Sequence, residues 1–164
     1  MNSWKNENLF YLTSNKSRIL KIIDHYEIYK RILHVKGDII ECGVFKGISL
    51  IRLLSFRDLL EKPQKRKIYA FDIFGKFPRP KNKKISSQKA DVKFAKKHDL
   101  KIGLGLKLEK LDFFLKKKNF HNYKLIKGDV NYTIPDFIKK NKKIKISLLH
   151  LDLDVYEATF TALK

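Results

Sequence analysis

The stretch Gly37-Asp38-Ile39-Ile40-Glu41-Cys42-Gly43-Val44-Phe45-Lys46-Gly47 governs the reading of this chain. Asp38 to Cys42 is a short apolar run of the kind that forms a buried strand. It passes into a turn with two glycines, and Ile48 to Leu60 then reads as a helix that stops before Pro63. Gly43 lets the backbone approach a ligand, and Gly47 opens a helix whose N-terminal amides would face that ligand. A tight strand-to-helix turn with no ligand is the plain structural alternative. The stretch lacks the Gly-x-Gly-x-x-Gly pattern of dinucleotide enzymes, which argues against a nucleotide-dependent enzyme such as a dehydrogenase.

Working outward, the same alternation repeats. Ile68 to Asp72 reads as a second strand, Leu104 to Lys118 as a helix, and Tyr123 to Lys127 as a third strand ending in Gly128-Asp129. Ile134 to Lys140 reads as a short helix with Pro135 in its first turn, where proline is tolerated. Ile144 to Leu151 is a fourth strand, and Val155 to Lys164 begins another helix. Strands and helices at this spacing predict a parallel sheet covered on both faces. Upstream, Ser17 could cap a helix running to about Val35, with Ile19, Ile22, Ile23, Tyr26, Tyr29 and Leu33 on one face. Lys21, Asp24 and Lys30 fall off that face. The expected organisation is an N-terminal helical segment, 1–36, and an α/β domain, 37–164. Residues 75–98, with Gly, prolines and many lysines, read as a lid-like loop.

The chain has 164 residues, 43 % of them hydrophobic, which suits one domain with a real core. No apolar run approaches the ~20 residues needed to span a bilayer, and the N-terminus lacks signal-peptide features. The single Cys42 cannot form an internal disulfide, so a cytoplasmic protein without a membrane partner is expected. The net charge of +20 admits two readings. One is a non-catalytic basic module engaging nucleic acid or another anionic partner, which a steep salt dependence of binding would mark. The other is compositional bias, favoured because lysine far exceeds arginine and runs such as 116–118 and 139–143 are spread along the chain.

Four acids stand at or just beyond strand ends: Glu41, Asp72, Asp129 and Asp152. Open parallel sheets bind ligands outside the carboxyl ends of their strands. Four charges in register there are costly to bury without partners, which favours a ligand site over coincidence. An acid at Asp72 suits a bidentate hydrogen bond to ribose hydroxyls, and Ile73 is placed to pack against a purine, while Phe71 reads as core. In Leu148-Leu149-His150-Leu151-Asp152-Leu153-Asp154-Val155-Tyr156-Glu157, strand alternation would point Asp152 and Asp154 the same way. A hard divalent cation such as Mg²⁺ would relieve their repulsion. Alternatively, Asp154 caps the following helix. His150 reads as a packed histidine, the five histidines show no metal-ligand spacing, and Gly103 and Gly105 carry no functional reading.

Taken together, residues 37–47, Tyr69-Ala70-Phe71-Asp72, Lys127-Gly128-Asp129-Val130 with Pro135, and His150 to Tyr156 resemble the macrocin O-methyltransferase (TylF-type) family. The resemblance spans about residues 37–160 and implies a Rossmann-like class I methyltransferase sheet. It also implies S-adenosylmethionine (SAM) as cofactor, Mg²⁺, and methylation of a sugar or polyol hydroxyl. By resemblance Glu41 and Gly43 line the methionine end of SAM, Asp72 holds the ribose, and Asp129 and Val130 sit beside the adenine. Asp152 would bind the metal that positions the acceptor hydroxyl and so act in catalysis, with Asp154 close by. The family's usual continuation after Asp72, roughly Thr-Phe-Glu-Gly-Phe, is here Ile73-Phe74-Gly75-Lys76-Phe77. Family members continue past the fourth strand with further strands and an Asp-Asp pair. The expectation is therefore an incomplete sheet on the C-terminal side, in a fragment or a shortened relative that binds cofactor weakly. Acceptor, pathway and self-association stay open.

Overall fold

A computed structural model describes residues 2–76, 91–94, 97 and 100–164; most of the expected lid-like loop at 75–98 lies outside these described residues. The order of elements is α1 (Ser3–Thr13), α2 (Lys16–Arg31), β1 (Asp38–Cys42), α3 (Ile48–Leu60), β2 (Ile68–Asp72), α4 (Leu108–Lys117), β3 (Tyr123–Lys127), α5 (Val130–Lys140), β4 (Ile146–Leu151) and α6 (Tyr156–Leu163). The four strands form one parallel sheet in the order β3-β2-β1-β4. The chain thus steps outward from β1 to β3, then returns to the other side of β1. That reversal creates a crevice between the carboxyl ends of β1 and β4, where open α/β sheets take their ligands.

Alternation along β1 sorts the core. Ile39 points into a layer with Leu50, Leu53 and Leu54 of α3, Tyr29 of α2, and Leu111 and Leu115 of α4. Ile40 and Cys42 point the other way, against Val130, Ile134 and Phe137 of α5 and Ala158 of α6. Phe71 is fully buried on that second face, edge-on to Phe137, as core packing predicts. Removing a buried leucine such as Leu54 would leave a cavity costing about 2–5 kcal/mol.

At the amino ends of the strands, two buried arginines fasten the elements. Arg57 donates to the carbonyls of His121 and Asn122, and Arg66 forks onto both carboxylate oxygens of Glu61 at 2.7 Å. Arg66 also reaches the carbonyls of Ile32, Val35 and Gly37, and Tyr29 donates its hydroxyl to Glu61. Arg57 also pairs with Asp58 at 2.9 Å, so each buried cation has a counter-charge as well as acceptors.

Several boundaries differ from those expected. Asn15, not Ser17, caps α2: its side chain accepts from the Ser17 amide. The preceding residues form a separate helix, α1, which buries none of its side chains. Asp129 caps α5 through the Asn131 amide, so the helix starts before Ile134 and Pro135 lies in its interior. β4 begins at Ile146, and Val155, not Asp154, is the N-cap of α6.

Candidate functional site

A cavity of about 650 Å³ opens at the carboxyl edge of the sheet, within the range of small-molecule sites. Its floor is the switch point. Asp152 donates its amide to the Cys42 carbonyl, and Gly43 donates to Phe71. A Cβ on Gly43 would stand 2.0 Å from the Asp152 carbonyl oxygen, and Gly43 has φ +92°. Only glycine lets β1 and β4 meet this closely and still turn toward α3.

The sheet-side wall carries most of the residues singled out by sequence. Asp72, Ile73, Asp129, Val130, Asp152 and Asp154 all line the cavity. Asp72 organises it. Oδ2 accepts from the amides of Val44 and Phe45 at 2.7 and 2.9 Å, and Oδ1 accepts from Phe74 at 2.6 Å. The amides of the glycine turn therefore address Asp72. A carboxylate has about four acceptor sites, so three are occupied and a bidentate hold on a ribose is not available without displacing an amide. Asp154 has left-handed backbone, φ 57°, because the strand has already ended at Leu151. Strand alternation therefore does not orient Asp152 and Asp154.

Two predicted residues lie outside the wall. Glu41 is wholly buried beneath it, because alternation turns its side chain onto the α2/α3 face, directly opposite His150 of β4. Its Oε1 is 3.4 Å from His150 Nδ1, an ion pair without aligned hydrogen-bond geometry. The carboxylate raises the proton affinity of His150 against the effect of burial. Gly47 is buried at φ +80°, where a Cβ would meet Leu111 at 2.5 Å, so it seats α3 against α4.

The opposite wall was not foreseen. Arg18, Lys21 and His25 of α2 and Arg52 of α3 line the cavity, as do Gly103 and Gly105. His25 packs edge-on against His150 at 5.3 Å, and burial, then the nearby His150, Arg52 and Lys21 charges, hold it below the usual imidazole range. Arg18, Lys21 and His25 recur at i, i+3 and i+7, a polar stripe along one side of a helix that could have marked this wall in the sequence.

For a metal, the donor set is thin. Among the described residues no three His, Cys, Asp or Glu side chains cluster as a cation site. Asp152 and Asp154 together fall well short of the six oxygens that Mg²⁺ prefers.

The profile of the macrocin-O-methyltransferase (TylF) family matches residues 18–164. The chain belongs to this family. Solved structures carry the same architecture. A crystal structure of CalS11, calicheamicin methyltransferase, aligns with a TM-score of 0.65 and 24 % identity over 99 % of this chain and 65 % of that one. An apo structure of CalS11, described as a TDP-rhamnose 3'-O-methyltransferase of calicheamicin biosynthesis, gives 0.62 and 25 % over 99 % and 63 %. The O-methyltransferase NovP gives 0.66 and 20 % over 87 % and 57 %. This TylF-family chain spans less than two thirds of the length of each of these proteins. The likeness to them is one of fold: an α/β methyltransferase sheet, here with four parallel strands. No curated protein sequence matches the chain. No helix among the described residues is long and apolar enough to cross a membrane.

Proposed function

We propose that the cavity at the switch point binds SAM and that the protein transfers its methyl group to a hydroxyl of a sugar or similar polyol. The observation that carries this reading is the convergence of Gly43, Asp72, Ile73, Asp129 and Val130 on one cavity at the carboxyl edge, in a chain of this family. The residues fit the cofactor. The cavity volume suits it, and an acidic wall complements a ligand with two positive groups against one carboxylate.

When bound, SAM supplies a methyl group on a positively charged sulfur. That methyl would pass to the acceptor oxygen, with S-adenosylhomocysteine (SAH) as the leaving group and the hydroxyl proton taken up by a base. Asp72 would hold the glycine turn in place and keep its remaining acceptor site for the ribose, while Ile73 and Val130 would flank the adenine with Asp129. Glu41 supports this wall from beneath. Asp152 stands where β4 delivers it to the cavity and is the carboxylate assigned to the acceptor side, with Asp154 next to it. These two residues alone do not build a Mg²⁺ site.

Equilibrium dialysis with labelled SAM, followed by methyl transfer to a panel of glycosides and sugar nucleotides with and without EDTA, tests the reading. Saturable SAM binding and a methylated sugar are expected. A chain that retains its fold but does not bind SAM would overturn it.

A further inference from the structure

The glycine turn between β1 and α3 holds more than Asp72. The Phe45 carbonyl accepts from the Leu106 amide at 2.9 Å, and Lys46 donates its ammonium to the Ile102 carbonyl at 2.9 Å. Two adjacent residues of the turn thus fasten both ends of the segment 102–106, which forms a strap beside the cavity. A third bond, from the Gly105 amide to the Gly75 carbonyl at 3.0 Å, ties the strap to the chain beyond β2. The amides of Phe45 and of Phe74, the neighbour of Gly75, clamp Asp72. Strap and carboxylate therefore share one framework.

The strap is tightly joined at one end and open at the other. A Cβ on Gly105 would stand 3.1 Å from the Gly75 carbonyl oxygen and 3.3 Å from that of Phe45. Gly103 turns the chain at φ +84°, and no atom lies within 4 Å of where its Cβ would stand. Ile102, Gly103 and Gly105 line the cavity, and Ile102 is left exposed. A lone exposed isoleucine is ordinary; this one is held at a cavity by its own carbonyl. Among the described residues, lysine ammonium groups otherwise meet acids or aromatic rings, whereas that of Lys46 donates to main chain. Lys46 is exposed, so its bond is weak enough to open and admit a ligand.

We propose that residues 102–106 close over the bound cofactor, with Ile102 packing against it, and that Lys46 is the positioning residue that latches them. The apolar surface of Ile102 leaves water when the cofactor binds. The bonds at Phe45, Lys46 and Gly75 reduce the entropy still to be lost in ordering the segment. The ligand of the strap rests on the methyltransferase reading; the latch does not.

The test combines calorimetric titration of SAH with hydrogen exchange of residues 101–107, read by mass spectrometry on the whole chain. In the wild type, SAH should slow exchange of this segment. Lys46→Met should speed its exchange in the free protein and weaken SAH binding roughly three- to tenfold, with Tm unchanged. Lys46→Arg keeps a cationic donor and should restore affinity to within about twofold of wild type. Ile102→Ala should weaken SAH binding at least about threefold. Lys62→Met removes an exposed lysine at the amino edge of the sheet, controls for net charge and should change none of these. Wild-type affinity in folded Lys46→Met or Ile102→Ala overturns the proposal, as does exchange at 101–107 that SAH leaves unchanged. A folded wild type that does not bind SAH refutes the cofactor reading instead; faster exchange at 101–107 in Lys46→Met would then still establish the latch.

Discussion

The two walls of the cavity differ in how their charges are held. On the sheet side, Asp72 is clamped by three backbone amides and Asp129 is bound to the amide of Asn131, so both are fixed by main chain. On the helix side, Arg18, Lys21 and Arg52 have no such partners. The acids shape the site while folding it; the cations contribute little to the fold and are free to meet a ligand. Substitutions in the two walls should therefore separate stability from binding.

The largest effect is expected at the seam beneath the acidic wall. Gly43→Ala forces a Cβ against the Asp152 carbonyl and a side chain into left-handed backbone. That backbone conformation alone costs about 1–3 kcal/mol. Spreading β1 from β4 adds to it. A fall in Tm of several degrees with loss of measurable SAH binding is expected. A variant with wild-type Tm and affinity would show that the seam does not shape the site.

Asp72→Asn comes next. Its amide NH₂ would face a backbone N–H, leaving at least one of three bonds unmade and a donor against a donor. A destabilisation of about 1–3 kcal/mol is expected from denaturant unfolding. Asp129→Ala removes one helix cap and should cost about 1 kcal/mol. Equal losses for the two would deny that Asp72 organises the turn.

Beneath both walls, His150 should titrate. His150 has a raised proton affinity in the fold, so its contribution is complete below its unfolded value, near pH 6.5. It is lost as pH rises through the higher folded value. The Tm difference between wild type and His150→Gln should therefore shrink over the pH range that rises from about 6.5. A difference that grows over this window would contradict the pairing. The smallest change in stability is expected for Lys21→Gln. This exposed residue off the core should shift unfolding by no more than about 0.5 kcal/mol.

The contrast between walls also explains what the sequence disclosed. β1, α3, β2 and β3 have the bounds expected, because short apolar runs and flanking Gly and Pro are local signals. The acids at strand ends were legible for the same reason. Glu41 was misplaced because a strand-end acid on one face enters the cavity, while on the other it is covered by a helix, and that depends on which helix packs where. The basic wall was hidden by tertiary structure. Lys21 lies off the apolar face of α2 and reads as solvated, until α2 is laid beside the crevice and meets Arg52. The α5 start was missed because the capping role of Asp129 competes with its reading as a ligand-binding acid, and Asp129 occupies both positions.

Binding of the cofactor at the acidic wall is open to direct measurement. Calorimetric titration of SAH into the wild-type chain and into Asp72→Ala, below the Tm of both, measures this. One saturable site is predicted for the wild type, weakened roughly three- to tenfold or more in the variant. No binding to the folded wild type, or equal affinities for the two proteins, would contradict it.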